Sequence, residues 1–325
     1  GEVFAANFVY SGNFLAEAQV DPFRNVRFQM GINPWNGEWL LEPGESFQTP
    51  EVVMVYSAEG LNGMSQTFHR FYQNHLVPQA FAGKRRPILI NSWEGSFFDL
   101  KEEKLLELAD RAAEAGIELF VLDDGWFGHR DGDDSSLGDW VEDRRKLPGG
   151  LERLSQEIHK RGLEFGLWVE PEMISEDSEL YRAHPDYALH VEGRPYTYGR
   201  GQLVLDLTRK EVRDYVVESI SQVLSRIQVE YVKWDMNRHL TEAGSGALPW
   251  NRQGQVFHRY VLGLYDIAAR LTGRFPDILF ESCSSGGGRF DPGMLYYMPQ
   301  TWCSDNTDAV CRMRIQYATS LTYPP

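Results

Sequence analysis

Hydrophobic positions in the first 60 residues follow the period of β-structure. Val26, Phe28, Met30 and Ile32 alternate with polar residues, which is typical of a half-buried strand. A second apolar run covers residues 52–56, and Gly and Pro residues supply turns between the runs. The pattern therefore predicts a β region at the start of the chain.

The period changes at Leu61. Leu61, Met64, Phe68 and Phe71 recur at the spacing of one helical face, which predicts a helix leading out of the β region. A basic segment ending in Pro87 marks the next boundary. The pattern thus divides the chain into three parts: residues 1–60, residues 61–86 and residues 87–325.

Strands and helices alternate from residue 87 onward. Seven apolar runs have the length of a strand: Ile88–Trp93, Leu119–Asp123, Phe165–Glu170, Leu203–Leu207, Val229–Asp235, Ile278–Ser282 and Gln300–Ser304. Such alternation predicts an α/β fold with parallel strands, either an open doubly wound sheet or a (β/α)8 barrel of the TIM type. Almost every strand ends in a polar or aromatic cluster, whereas an open sheet concentrates its site at one switch point. We therefore predict the barrel. Its last strand is missing from the pattern, so we expect a piece of a longer protein.

Composition narrows the classes of function. The chain has 325 residues and a formal net charge of -15, which argues against nucleic acid or an anionic membrane as partner but not against a neutral sugar. No apolar run approaches the roughly 20 residues of a membrane span. The only cysteines are Cys283, Cys303 and Cys311, too few for a disulfide framework. With no visible signal peptide, we expect a reducing, cytoplasmic location.

Tryptophans recur where predicted strands end. A pyranose presents an apolar face that stacks on indole, so a set of strand-end tryptophans predicts a wall that faces a sugar. The set is Trp93, Trp126, Trp168, Trp234 and Trp302.

The strand that ends in Lys233-Trp-Asp235 carries the strongest catalytic signal. Reacting side chains of barrel enzymes sit at the C-terminal ends of strands, and alternation puts Lys233 and Asp235 on one face. A neighbouring cation would hold Asp235 ionised, as a nucleophile or charge stabiliser requires.

A second acidic strand end contains Asp305 and Asp308. Asp308 suits the first turn of the following helix, where a carboxylate is favourable, which leaves Asp305 at the rim. Paired with Asp235, it gives two carboxylates that face one pocket. Glycoside hydrolysis uses such a pair, one as nucleophile or base and one as proton donor.

Other strand ends supply further candidates. Asp123 and Asp124 suit the hydroxyls of a polyhydroxy ligand, because each carboxylate accepts several hydrogen bonds. The alternative is a metal site, although the nearby acids lack calcium-loop spacing and no His pair has zinc spacing. The glycine run over residues 281–289 predicts close approach of backbone to a ligand, with Cys283 as a small wall residue. Trp168 and Glu170 share a face. One of them would line the pocket and the other would be buried with a structural role, and the sequence does not say which.

Together these motifs resemble the α-galactosidases of glycoside hydrolase family 36. The resemblance runs in order from about residue 88 to residue 312. It rests on seven strings: Asn91–Trp93, Leu122–Phe127, Leu167–Met173, Gln202–Asp206, Lys233–Arg238, Cys283–Asp291 and Ser304–Asp308. It implies that residues 1–80 are the tail of an N-terminal antiparallel β-sandwich and its linking helix.

The resemblance also implies roles. Asp235 would be the nucleophile and Asp305 the acid/base of a retaining double displacement on α-linked galactose, as in melibiose or raffinose-type sugars, with no metal or organic cofactor. Asp123 and Asp124 would bind galactose hydroxyls. The other implied sugar contacts are Trp93, Trp168, Arg200, Lys233, Asn237 and, near the 2-position, Cys283 and Gly286.

Several alternatives remain open. The same family contains α-N-acetylgalactosaminidases and galactosyl-transferring synthases, and Ser285 stands where some members have Gly. A non-catalytic carbohydrate-binding relative and a metal-assisted barrel hydrolase using Asp123, Asp124 and Asp235 are the other classes. The resemblance further implies a homo-oligomer, a tetramer.

Overall fold

The structure, a computed structural model, describes residues 1–324. Its N-terminal part has four strands and two helices: β1 (Val3–Val9), β2 (Phe14–Val20), β3 (Val26–Ile32), β4 (Glu51–Ser57), α1 (Gly60–His75) and α2 (Gln79–Ala82). β1 pairs antiparallel with β4, and β2 pairs antiparallel with β3. These two antiparallel sheets confirm the predicted β region.

The helix predicted from Leu61 is α1. Met64, Phe68 and Tyr72 pack on Val55 of β4, so helical spacing located most of the buried face. Leu61 and Phe71, also predicted on that face, are exposed.

The β2–β3 hairpin is buried less than its alternation predicted. The register sets Val26 opposite Val20 and Phe28 opposite Ala18, which gives the hairpin one apolar face. Val26 and Phe28 on this face are nevertheless exposed.

The rest of the chain alternates strands with helices. The elements are β5 (Leu89–Asn91), α3 (Trp93–Ser96), α4 (Glu102–Glu114), β6 (Leu119–Leu122), α5 (Gly150–Lys160), β7 (Glu164–Val169), β8 (Met173–Ile174), α6 (Glu179–Ala183), β9 (Leu203–Val204), α7 (Lys210–Arg226), β10 (Tyr231–Trp234), α8 (Val256–Arg274), β11 (Leu279–Ser282), α9 (Pro292–Tyr297), β12 (Gln300–Thr301) and α10 (Ala309–Ser320). Short 3-10 helices cover Pro185–Tyr187 and Trp250–Gln255. Within residues 1–324, no helix is long and apolar enough to cross a membrane.

Six strands form one parallel sheet in the order β12-β11-β10-β7-β6-β5. This is part of a (β/α)8 barrel, as predicted. The predicted strand at Leu203–Leu207 is wrong as a barrel strand, because β9 pairs antiparallel with β8 outside the main sheet. Ala188 bridges antiparallel to Leu205, so this apolar run pairs with the segment that precedes it in the chain and not with a barrel strand. The apolar run is still fully buried.

Alternation along the strands separates the barrel interior from the helical layer. Leu119 and Val121 of β6 pack inside with Tyr231 of β10, whereas Phe120 and Leu122 pack in the cluster that contains the helices. The odd-numbered positions of β6 and β10 therefore face the barrel axis. The same parity directs Lys233 of β10 into the barrel mouth and, continued past the strand ends, Asp123 and Asp235 as well.

Candidate active site

A cavity of about 1140 Å³ lies at the C-terminal edge of the parallel sheet. Ten predicted site residues line it: Trp93, Asp123, Asp124, Trp168, Arg200, Lys233, Asp235, Asn237, Trp302 and Asp305. Cys283 and Gly286 are not among its lining residues. Most of the predicted site residues, including both candidate catalytic acids, therefore lie on one cavity.

Asp235 follows β10 and is 5% exposed. Its Oδ2 accepts hydrogen bonds from Trp168 Nε1 at 3.1 Å and Asn237 Nδ2 at 3.0 Å. Its Oδ1 accepts from the backbone N–H groups of Met236 at 2.9 Å and Ser285 at 3.3 Å. Four donors from three segments of the chain therefore fix the orientation of this carboxylate.

Lys233 is paired differently from the sequence prediction. Its Nζ donates to Asp123 Oδ2 at 2.9 Å rather than to Asp235. Burial alone would lower the pKa of Lys233, but Asp123 and other nearby acids outweigh it and raise that pKa, so the side chain is a cation. Asn91, which sequence reasoning quoted only within a motif, also donates to Asp123 Oδ2. The cation predicted for Asp235 thus neutralises Asp123.

Asp124 is held by Arg130, a residue that sequence reasoning missed. Arg130 is 1% exposed and donates from Nε to Asp124 Oδ1 at 2.8 Å and from its terminal nitrogen to Oδ2 at 2.9 Å. Burial raises the pKa of Asp124, and Arg130 opposes that rise.

The two neighbouring acids therefore each have a cation of the protein itself. Lys233 forms a salt bridge with Asp123, and Arg130 forms one with Asp124. In the part of the chain that the structure describes, no group of three His, Cys, Asp or Glu residues is arranged to hold a metal ion. The arrangement leaves the outer faces of both carboxylates on the cavity, suited to hydroxyl groups.

Asp305 lies in the loop between β12 and α10 and is exposed. Trp302 Nε1 donates to its Oδ1 at 2.8 Å. Asp308 has the structural role that its position predicted, because it is the N-cap of α10 and accepts from Cys311 N–H at 2.8 Å. Of these two acids, only Asp305 lines the cavity.

At Gly286 the glycine segment packs closely against backbone. Gly286 has a φ of 85°, and a Cβ there would lie 2.7 Å from Ser304 Cα and 2.8 Å from Asp305 N. The predicted close approach is therefore to the chain that carries Asp305. Cys283 is buried, and burial raises the pKa of its thiol, which disfavours a thiolate nucleophile.

Three of the five strand-end tryptophans line the cavity, namely Trp93, Trp168 and Trp302. The prediction is wrong for the other two. Trp126 is buried and donates to the backbone carbonyl of Trp168 at 2.9 Å, and Trp234 is buried and donates to Glu172 at 2.8 Å. Trp234 occupies the even parity of β10, so it points away from the barrel axis.

The pair that the sequence left unresolved is separated by the structure. Trp168 lines the cavity and contacts Asp235, whereas Glu170 is fully buried behind Asn237. Burial, and then the Asp235 carboxylate, raise the pKa of Glu170.

Comparisons with known proteins match the whole chain. The family model described as Melibiase matches residues 46–325, and the one described as Glycosyl hydrolase family 36 N-terminal domain matches residues 1–42. The chain is 64% identical over 324 residues to Alpha-galactosidase AgaA of Geobacillus stearothermophilus and 54% identical to Alpha-galactosidase 1 of Pediococcus pentosaceus. All of this chain is covered in both cases, but only 44% of each relative. The chain therefore spans less than half the length of these curated relatives.

Solved structures give the same picture. The crystal structure of GH36 α-galactosidase AgaA from G. stearothermophilus superposes with a TM-score of 0.98 at 64% identity, covering 100% of this chain and 45% of that one. Structures of AgaA variants in complex with raffinose and with stachyose match with a TM-score of 0.98 at 63% identity and the same coverage.

Proposed function

Because the chain belongs to the melibiase family, glycoside hydrolase family 36, we propose that it is the catalytic part of a retaining α-galactosidase. The observation that carries the proposal is the position of Asp235 and Asp305 on one cavity at the C-terminal edge of the barrel. Two carboxylates on one cavity at a barrel mouth fit a double displacement at an anomeric carbon.

In the proposed reaction the galactose ring lies in the barrel mouth. Asp235 attacks the anomeric carbon while the protonated Asp305 donates to the leaving oxygen, which gives a galactosyl ester of Asp235. Asp305 then removes a proton from water, and the water releases the sugar with retained configuration. The fixed Asp235 and the exposed Asp305 suit these tasks, because the second must meet both the leaving group and the incoming water.

The substrate class is a terminal α-linked galactose of an oligosaccharide. Asp123 and Asp124 offer acceptor oxygens for the ring hydroxyls, and Trp93, Trp168 and Trp302 offer stacking surfaces. The raffinose and stachyose complexes of AgaA variants support sugars of this type.

Azide rescue tests the assignment of both acids in the full-length protein. With an activated aryl α-galactoside, we expect Asp235→Ala to lose about 10³-fold or more in kcat and to form β-galactosyl azide when azide is added. Asp305→Ala should instead form α-galactosyl azide, because Asp235 still makes the ester that azide opens from the other face. NMR of the products identifies the anomer.

The matched control is Asp308→Asn on the same loop. Asp308 caps α10, and Asn is an equally good cap, so turnover should stay near wild type. If azide gives no galactosyl azide with Asp235→Ala, Asp235 is not the nucleophile. Lack of any turnover by the full-length wild-type protein would contradict the proposed α-galactosidase activity.

Two further proposals accompany this function. We propose a cytoplasmic location, which is supported by the free thiols of Cys283, Cys303 and Cys311. A homotetramer is proposed from the family resemblance alone, and sedimentation velocity of the full-length protein measures it.

A further inference from the structure

Glu170 is a fully buried carboxyl group that the proposed reaction does not use. It follows β7 and lies on the far side of Asn237 from the nucleophile. Its Oε2 accepts from Asn237 Nδ2 at 3.2 Å, and its Oε1 accepts from the backbone N–H of Asn237. Gln202 Nε2 donates to the same Oε1 at 2.8 Å.

Asn237 connects Glu170 to the nucleophile. One amide nitrogen, Asn237 Nδ2, donates both to Glu170 Oε2 and to Asp235 Oδ2. The amide oxygen of Asn237 accepts from Ser285 Oγ at 3.0 Å. The bond to Asp235 therefore exists only in one of the two orientations of this amide.

Ser285 cannot select that orientation, because a hydroxyl group both donates and accepts. Glu170 Oε2 faces Asn237 as an acceptor and tolerates only the nitrogen. This also holds for a carboxyl protonated on Oε1, whereas a proton on Oε2 would let the amide oxygen face Glu170. Gln202 Oε1 has no partner within residues 1–324, so rotation of the Gln202 amide would give a proton on Oε1 an acceptor and leave Oε2 unchanged.

We propose that Glu170 is a positioning residue, which fixes the amide of Asn237 so that its nitrogen faces Asp235 and holds the nucleophile for attack. The proposal deepens the proposed function and rests on it. Glu170 neither lines the cavity nor hydrogen-bonds Asp235, so its hydrogen-bonded link to the nucleophile runs through Asn237, beside the direct repulsion between the two carboxyl groups.

Glu170→Gln tests the proposal with little change in volume. Its amide nitrogen can occupy the place of Oε2, where it opposes a donor of Asn237. Asn237 must then either lose this contact or turn its oxygen toward Asp235, which repels it. We expect kcat to fall roughly 10- to 100-fold with KM within about threefold, because the misplaced group acts on the transition state.

A double-mutant cycle with Asn237→Ala separates positioning from general structural damage. If Glu170 acts through Asn237, Glu170→Gln should lower kcat by less than about threefold in the Asn237→Ala background. The matched control is Glu172→Gln. Glu172 is equally buried but binds Arg289, Tyr260 and Trp234, so its effect should multiply with that of Asn237→Ala.

Losses from Glu170→Gln and Asn237→Ala that multiply in an active enzyme would overturn the proposal, as would unchanged kcat in Glu170→Gln. If Glu170→Gln does not fold, the same cycle is run with Glu170→Asp, whose shorter side chain withdraws the carboxyl from Asn237. The same non-multiplying pattern is expected there. Failure of the proposed function is distinguishable, because it appears as absence of turnover in the wild-type protein.

Discussion

Gly286→Ala should damage the acid/base more than the nucleophile. The added Cβ would lie 2.7 Å from Ser304 Cα and 2.8 Å from Asp305 N, whereas ordinary contacts begin at 3.4 Å. The difference of 0.7 Å between 3.4 and 2.7 Å has to come from backbone movement, since both contacted atoms are backbone. Ser285 ties the glycine segment to Asp235 and Asn237, so we expect the exposed segment that carries Asp305 to be the one that moves.

The magnitude follows from what Asp305 does in the proposed reaction. A misplacement of about 1 Å costs on the order of 100-fold, and a general acid contributes about 10²- to 10⁴-fold. We expect kcat/KM for melibiose or raffinose to fall about 100-fold. For 2,4-dinitrophenyl α-galactoside the fall should be less than about 10-fold, because that leaving group departs without a proton.

Gly162→Ala is the control for backbone strain. Gly162 has a φ of 79°, close to that of Gly286, but a Cβ there meets nothing within 4 Å. Both variants lose about 1 kcal/mol of stability from the left-handed conformation, so both should lower Tm, and only Gly286→Ala should change the kinetics. Equal losses on both substrates would refute the reasoning and would indicate that Gly286 acts on sugar binding instead.

Two further predictions concern buried titratable side chains. Arg130→Lys keeps the positive charge but cannot donate to both oxygens of Asp124, so we expect KM to rise about 10-fold and the free energy of unfolding to fall by about 1–3 kcal/mol. Steady-state kinetics and urea titration measure this, and an unchanged KM would remove Asp124 from sugar binding. His258 bonds Tyr10 at 2.9 Å, and burial, followed by Arg259, lowers the pKa of His258. In the unfolded chain His258 binds a proton at about pH 6.5, whereas in the folded chain it binds one only at lower pH. The contribution of His258 to stability is therefore complete above that pH and is lost as the pH falls. Thermal scans from about pH 5 to 8 should show a Tm that depends less on pH in His258→Phe than in the wild type.

Strand parity accounts for much of what the sequence predicted. Asp235 follows β10 and Asp305 follows β12, and parallel strands of a barrel end at one rim whatever the length of chain between them. The same parity points Trp234 away from the barrel mouth, because a residue between Lys233 and Asp235 must face the other way. The predicted tryptophan wall was too large because proximity to a strand end was used without parity.

Contacts across the barrel could not be predicted in this way. Lys233 on β10 reaches Asp123 beyond β6, and β7 lies between those two strands. Curvature of the sheet brings such inward side chains together, and a linear pattern carries no measure of curvature. Arg130 likewise lies in an irregular loop, where no period marks a buried side chain.

The division into residues 1–60, 61–86 and 87–325 stays a prediction. The change from antiparallel pairs to a parallel sheet falls between β4 and β5 and is compatible with it. Residue 325, the predicted end of the barrel part, lies outside the described residues.

The distribution of charge around the acids fits their proposed tasks. Asp123 and Asp124, the proposed acceptors for sugar hydroxyls, each contact a cation. Asp235 receives only neutral N–H donors, and within residues 1–324 it forms no salt bridge. A nucleophile gives its charge to the anomeric carbon in the first step and regains it in the second. A bound cation would oppose the first of these changes, whereas neutral donors orient the carboxylate through both.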